Sequence, residues 1–70
     1  MNVIEVEEMT TKLFRSYLKR LGSNSSPESY EYYDGEMWYK GVPLIFSKMT
    51  KIESNALEYA LGEMLNRLAY

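Results

Sequence analysis

The sequence predicts a two-layer α+β domain in the order α-β-β-β-α, a three-stranded antiparallel meander with two helices packed on one face. Three observations predict it. Residues 30–46 hold six of the ten aromatic residues, and Asp34-Gly35 and Lys40-Gly41 divide this stretch into three short runs. The segments before and after it place apolar residues at helical spacing. Both helical segments carry terminal signals of their own. Seventy residues make one domain, 1–70, with little surface to bury and a correspondingly small margin of stability.

The first helix is expected over residues 2–21. At about 100° per residue, Val3, Val6, Met9, Leu13, Phe14, Tyr17 and Leu21 share one broad arc. Glu8, Lys12, Arg15 and Lys19 fall opposite it. Asn2 is the expected N-cap, and Gly22 follows the last apolar residue as a C′ stop. Acids come first and bases last, which suits the helix dipole. Val3, Ile4 and Val6 are also compatible with an extended start. Residues 22–28, rich in Ser, Asn, Gly and Pro, read as a loop.

Strands are expected at 29–33, 36–40 and 42–46. Asp-Gly is a strong two-residue hairpin signal, and Lys-Gly is a weaker one. With both turns two residues long, Tyr30 faces Tyr39, Tyr32 faces Met37 and Tyr33 faces Glu36. Across the second turn Tyr39 faces Val42, Trp38 faces Pro43 and Met37 faces Leu44. One sheet face then carries Tyr30, Tyr32, Met37, Tyr39, Val42, Leu44 and Phe46, the expected core. The other carries Glu31, Tyr33, Glu36, Trp38, Pro43 and Ile45. A shift of one residue would mix these sets. Pro43 falls on an edge strand with its missing N–H outward, where a sheet tolerates proline.

The last helix is expected over 51–69. Thr50-Lys51-Ile52-Glu53 matches a capping box. Ala56, Leu57, Ala60, Leu61, Met64, Leu65 and Leu68 form its apolar stripe. Gly62 falls on the polar side, at a cost of about 1 kcal/mol against Ala.

Composition narrows the functions. With no Cys and no His, disulfides, zinc fingers, iron–sulfur clusters and thiol or imidazole catalysis are excluded. No cofactor and no metal are expected, because the acids are not spaced as a calcium loop. Asp34 is explained by its turn and Glu53 by its cap, and no Ser lies in a nucleophile elbow, so the chain reads as non-enzymatic. A net charge of -2 gives no global attraction to nucleic acid. No apolar run has the length of a membrane span, and the acidic start is unlike a signal peptide. No membrane partner is expected, and the cytoplasm is the default compartment.

The outer sheet face is the leading candidate site. Tyr33, Trp38, Pro43 and Ile45 would form an apolar strip with Glu31 and Glu36 as its polar rim. Clustered solvent-facing aromatics mark protein contacts, and they also serve as plain cross-strand stabilisation. The expected function is a protein-binding module, an inhibitor, adaptor or regulatory factor that occludes a partner of unknown identity. Bacterial and phage accessory proteins are a common source of such small acidic domains. Two alternatives stand beside it. Lys12, Arg15, Lys19 and Arg20 could contact nucleic-acid phosphates, or the domain could form a homodimer. The outer edge of the first strand is a further candidate for pairing, unless helix one or a terminus covers it.

Overall fold

Two helices and a three-stranded sheet make up the computed structural model, which describes residues 2–68 apart from the side chain of Phe46. Helix α1 spans Val3–Arg20 and α2 spans Lys51–Leu68. Between them lie β1 (Tyr30–Tyr33), β2 (Glu36–Tyr39) and β3 (Val42–Pro43), antiparallel and in that spatial order. Short 3-10 turns at Pro27–Ser29 and Phe46–Lys48 lead into β1 and towards α2.

The α1 termini follow their capping residues. The Glu5 amide donates to Asn2 Oδ1 at 2.8 Å, so the chain is helical from Val3 and the extended start is not adopted. At the other end Gly22 has φ +80. The Ser23 amide donates to Leu18 O at 3.0 Å and the Gly22 amide to Lys19 O at 3.3 Å. This is a Schellman stop.

The meander is set by its two turns. Asp34 and Gly35 have φ 53 and 76, and Lys40 and Gly41 have φ 50 and 80. Positive φ at both central residues defines the type I′ turn, whose twist matches that of the flanking strands. The register follows the expectation, with Tyr30 opposite Tyr39, Glu31 opposite Trp38, Tyr32 opposite Met37 and Tyr33 opposite Glu36. Trp38 is opposite Pro43 and Tyr39 opposite Val42. The Leu44 amide donates to Met37 O at 2.8 Å, after which the chain leaves the sheet. The third strand is therefore shorter than the expected 42–46.

Both helices contribute to one core on one sheet face. Phe14 and Leu18 of α1, Ala56 and Ala60 of α2, and Tyr30 and Met37 of the sheet are buried together. The Tyr30 ring lies 5.2 Å from Phe14 and 4.6 Å from Tyr39, centroid to centroid. Leu13, Tyr17, Tyr32, Tyr39, Leu44, Met49, Ile52 and Leu57 surround this cluster, partly buried.

The capping box of α2 also holds the core. The Thr50 amide donates to Glu53 Oε1 at 2.8 Å, and the Glu53 amide donates to Thr50 Oγ1 at 3.1 Å. The second Glu53 oxygen accepts from the Tyr30 hydroxyl at 2.6 Å. The polar tip of the largest buried side chain is satisfied in this way.

Side chains of α1 close the outer edge of β1. Pairs in a hairpin alternate in bonding, so Tyr30 and Tyr32 direct their backbone groups away from β2. The Tyr32 amide donates to Thr11 Oγ1 at 2.9 Å. Arg15 donates to Tyr30 O through Nε at 3.1 Å and Nη2 at 2.8 Å. Past the strand, the Asp34 amide donates to Glu7 Oε2 at 2.6 Å. Pairing of a second molecule at this edge would have to displace these bonds.

Some expected core positions differ. In α1 the buried face is rotated to Thr10, Thr11, Phe14 and Leu18, while Val3 and Leu21 are exposed. Threonine is tolerated there because each hydroxyl donates to a carbonyl one turn back, Thr10 to Val6 O at 2.7 Å and Thr11 to Glu7 O at 2.8 Å. Val42 was expected inside and is 62% exposed, because the sheet ends beside it. Of the α2 stripe, Ala56, Ala60 and Met64 are buried, but Leu61, Leu65 and Leu68 face solvent, Leu65 at 67%. The expected core role of the Phe46 side chain and the extension of α2 to residue 69 lie outside the described residues.

The edge closure is tested by Thr11→Val, which keeps the side-chain volume and deletes the hydroxyl. Denaturant unfolding should show a loss of about 1–2 kcal/mol, with Thr11→Ser costing less. The Tyr30–Glu53 bond is tested by pH. Burial first, then the hydrogen bond to Glu53, push the Tyr30 hydroxyl from 10.0 up to about 12. The folded state favours the protonated phenol, so this stability is complete below pH 10.0 and is lost as pH rises through about 12. Tyr17 shifts in the same direction, mainly through its hydrogen bond to Glu63. Unfolding free energy measured across that window should fall less steeply in Tyr30→Phe than in the wild type.

Candidate interaction surface

Strand parity builds the outer sheet face. Glu31 and Tyr33 of β1, Glu36 and Trp38 of β2, and Pro43 of β3 project away from the helices. Tyr33 is 56% exposed, Pro43 is exposed and Trp38 is half-buried. Ile45 follows the end of β3 and is 61% exposed. Glu31 and Glu36 are exposed, each directly opposite an aromatic residue, Trp38 and Tyr33 respectively.

Trp38 is held in one orientation. Its indole Nε1 donates to Tyr33 O at 3.0 Å, and the two rings lie 6.2 Å apart at an interplanar angle of 58°. On the far side it is paired with Pro43. The indole N–H is thereby engaged inside the sheet, and what remains available to an incoming group is the ring itself.

A depression of about 290 Å³ lies at one end of this face, lined by Ser29, Glu31, Tyr33, Trp38 and Gly41. Pro43, Ile45 and Glu36 are outside it, so only part of the expected strip lines the depression. Ser29 and Gly41 were not singled out from the sequence. The signal for Ser29 was parity, since it stands two residues before Glu31, while Gly41 carries no side chain to signal anything.

A larger groove of about 420 Å³ runs between α1 and the edge of β1, along Glu7, Thr11, Arg15 and Tyr32. Three of these residues already bond the strand edge or the first turn. The groove is thus the seam of the edge closure.

The four bases of α1 have different surroundings. Arg15 directs its guanidinium to Tyr30 O and, at 3.4 Å, to Glu28 O. Arg20 sits over the Tyr17 ring, 5.3 Å from its centroid. Lys12 and Lys19 are exposed. The Glu28 carboxyl is held below its ordinary range, first by its own backbone amide, then by the Ser26 hydroxyl, with Lys19 and Arg15 adding to the effect. The stripe is therefore three exposed bases, Lys12, Lys19 and Arg20, beside one arginine, Arg15, that is bonded within the fold.

Among the described residues, no three His, Cys, Asp or Glu side chains are grouped to hold a metal, and no helix is long and apolar enough to cross a membrane. No family model, curated protein or solved structure matches the chain.

The unequal roles of the bases have a direct test. Arg15→Met should lower the unfolding free energy by about 1–3 kcal/mol, since charged hydrogen bonds to an edge carbonyl are lost. Lys12→Met and Lys19→Met should stay within about 0.5 kcal/mol of the wild type in the same denaturation assay.

Proposed function

We propose that this chain is a non-enzymatic protein-binding module, an inhibitor, adaptor or regulatory factor that works by covering a surface of its partner. The observation that carries this reading is the outer sheet face. The inner face is filled by two helices and the β1 edge is bonded by α1, yet Tyr33 and Pro43 stay exposed beside Trp38, and Ile45 is exposed just past β3. Rigid aromatics contribute large contact area at small entropic cost, and such residues dominate binding energy at protein interfaces. Trp38 is already fixed by its bond to Tyr33, so little side-chain freedom remains to be lost on association.

Nucleic acid has weaker support as a partner. Arg15 is engaged within the fold, and Glu7, Glu8 and Glu31 lie beside Lys12 along the groove. Such a mix of charges gives little net attraction for a phosphate backbone.

Self-association is a second reading, favoured by the exposed Leu61, Leu65 and Leu68 on one side of α2. Sedimentation over a concentration range separates the two. A strict monomer removes this second reading and leaves the first intact.

The first reading is tested with Trp38→Ala. Far-ultraviolet circular dichroism should match the wild type, while affinity for any protein captured by the wild-type chain should fall by more than about 1 kcal/mol. Unfolding of Trp38→Ala, or unchanged capture, would count against the outer face as the contact surface.

A further inference from the structure

The depression on the outer face is mainly apolar, with the Glu31 carboxylate as its one charged group and the Ser29 and Tyr33 hydroxyls as its other polar side-chain groups. Glu31 contributes a carboxylate, and Trp38 and Tyr33 contribute the electron-rich faces of their rings. The indole N–H, which would otherwise be a donor, is bonded to Tyr33 O. Glu31 and Trp38 are directly opposed across β1 and β2. Residues paired in this way have Cβ atoms about 5 Å apart, so one small group can touch both side chains. Gly41 leaves the end of the depression open, with nothing within 4 Å of where a Cβ would stand. Lys40 lies with its ammonium 5.4 Å from the Tyr39 ring centroid, on the opposite face, while Lys12 and Arg15 line the neighbouring groove that Glu31 also borders.

These features match one kind of side chain. A guanidinium offers five donors in a plane, stacks on aromatic rings and pairs with carboxylates. An ammonium is smaller and more strongly hydrated, and it gains less from a flat ring. At about 290 Å³ the depression is at the low end for a ligand pocket, which suits a single long side chain better than a cofactor.

We propose that the depression takes an arginine side chain of the bound protein, its guanidinium stacked on Trp38 and paired with the Glu31 carboxylate. This rests on the reading of the outer face as a protein-binding surface. Pro43 and Ile45, outside the depression, then meet apolar residues of the same partner, and the arginine fixes the orientation of docking.

The chain holds a single tryptophan, so fluorescence excited selectively at tryptophan reports on Trp38. The full chain is titrated at millimolar concentrations with acetyl-Gly-Arg-Gly-amide and with the same peptide carrying citrulline, which keeps the shape and removes the charge. The arginine peptide should give a saturable change and bind roughly ten-fold tighter than its citrulline counterpart. Glu31→Gln should reduce that preference by about three-fold, and added salt should do the same. Glu36→Gln removes the same charge outside the depression and should leave the preference unchanged.

Equal binding of the two peptides would overturn the arginine subsite while leaving the face as a neutral contact surface. Equal effects of Glu31→Gln and Glu36→Gln would overturn it as well, because a diffuse acidic field would then explain the preference. No response to either peptide also overturns it, and the Trp38→Ala capture experiment still decides separately whether the face binds protein.

Discussion

A free strand edge exposes unpaired backbone donors and acceptors, and the arrangement of this domain follows from how α1 meets that edge. Glu7, Thr11 and Arg15 stand four residues apart on one side of the helix, and they bond Asp34 N, Tyr32 N and Tyr30 O respectively. Four helical residues rise about 6 Å, and two strand residues rise about 6.6 Å, so the two ladders nearly match in spacing. The match places α1 along β1 in the opposite direction and fixes its rotation. Phe14 and Leu18 are thereby turned to the core, and Thr10 and Thr11 are drawn inside with their hydroxyls bonded to the preceding turn.

Width is the second constraint. Three strands at about 4.8 Å spacing make a sheet roughly as wide as one helix. Two helices cannot both lie fully on it. Helix α1 holds the β1 edge, and α2 meets α1 more extensively than it meets the strands. The small side chains of Ala56 and Ala60 allow that approach. The apolar arc of α2 is wider than the surface available to it, which leaves Leu61, Leu65 and Leu68 in solvent.

Local signals were legible in the sequence where they were self-contained. Asp34-Gly35 and Lys40-Gly41 each specify a turn from two residues, and the register of all three strands follows from them. Asn2, Gly22, Thr50 and Glu53 act as caps within a few residues of their targets. Signals that depend on distant chain were not legible. Periodicity grouped Arg15 with the lysines, because its Cα lies away from the apolar arc. Its side chain is long enough to return to the Tyr30 carbonyl, 15 residues away in sequence. The exposure of Val42 depends on where the chain leaves the sheet, which no local pattern encodes. On the outer face, parity identified Glu31, Tyr33 and Trp38, but the concavity beside them arises from Ser29 and Gly41, small residues without a pattern.

Glu53 makes three bonds that join two parts of the fold. Its amide and one carboxylate oxygen close the first turn of α2, and the other oxygen holds the Tyr30 hydroxyl. Helix ends usually fray independently of the rest of a protein, opening at little free-energy cost. Here, opening the first turn of α2 would also leave a buried phenol without its acceptor and loosen the ring packed between Phe14 and Tyr39. Local opening at that point is therefore tied to opening of the core.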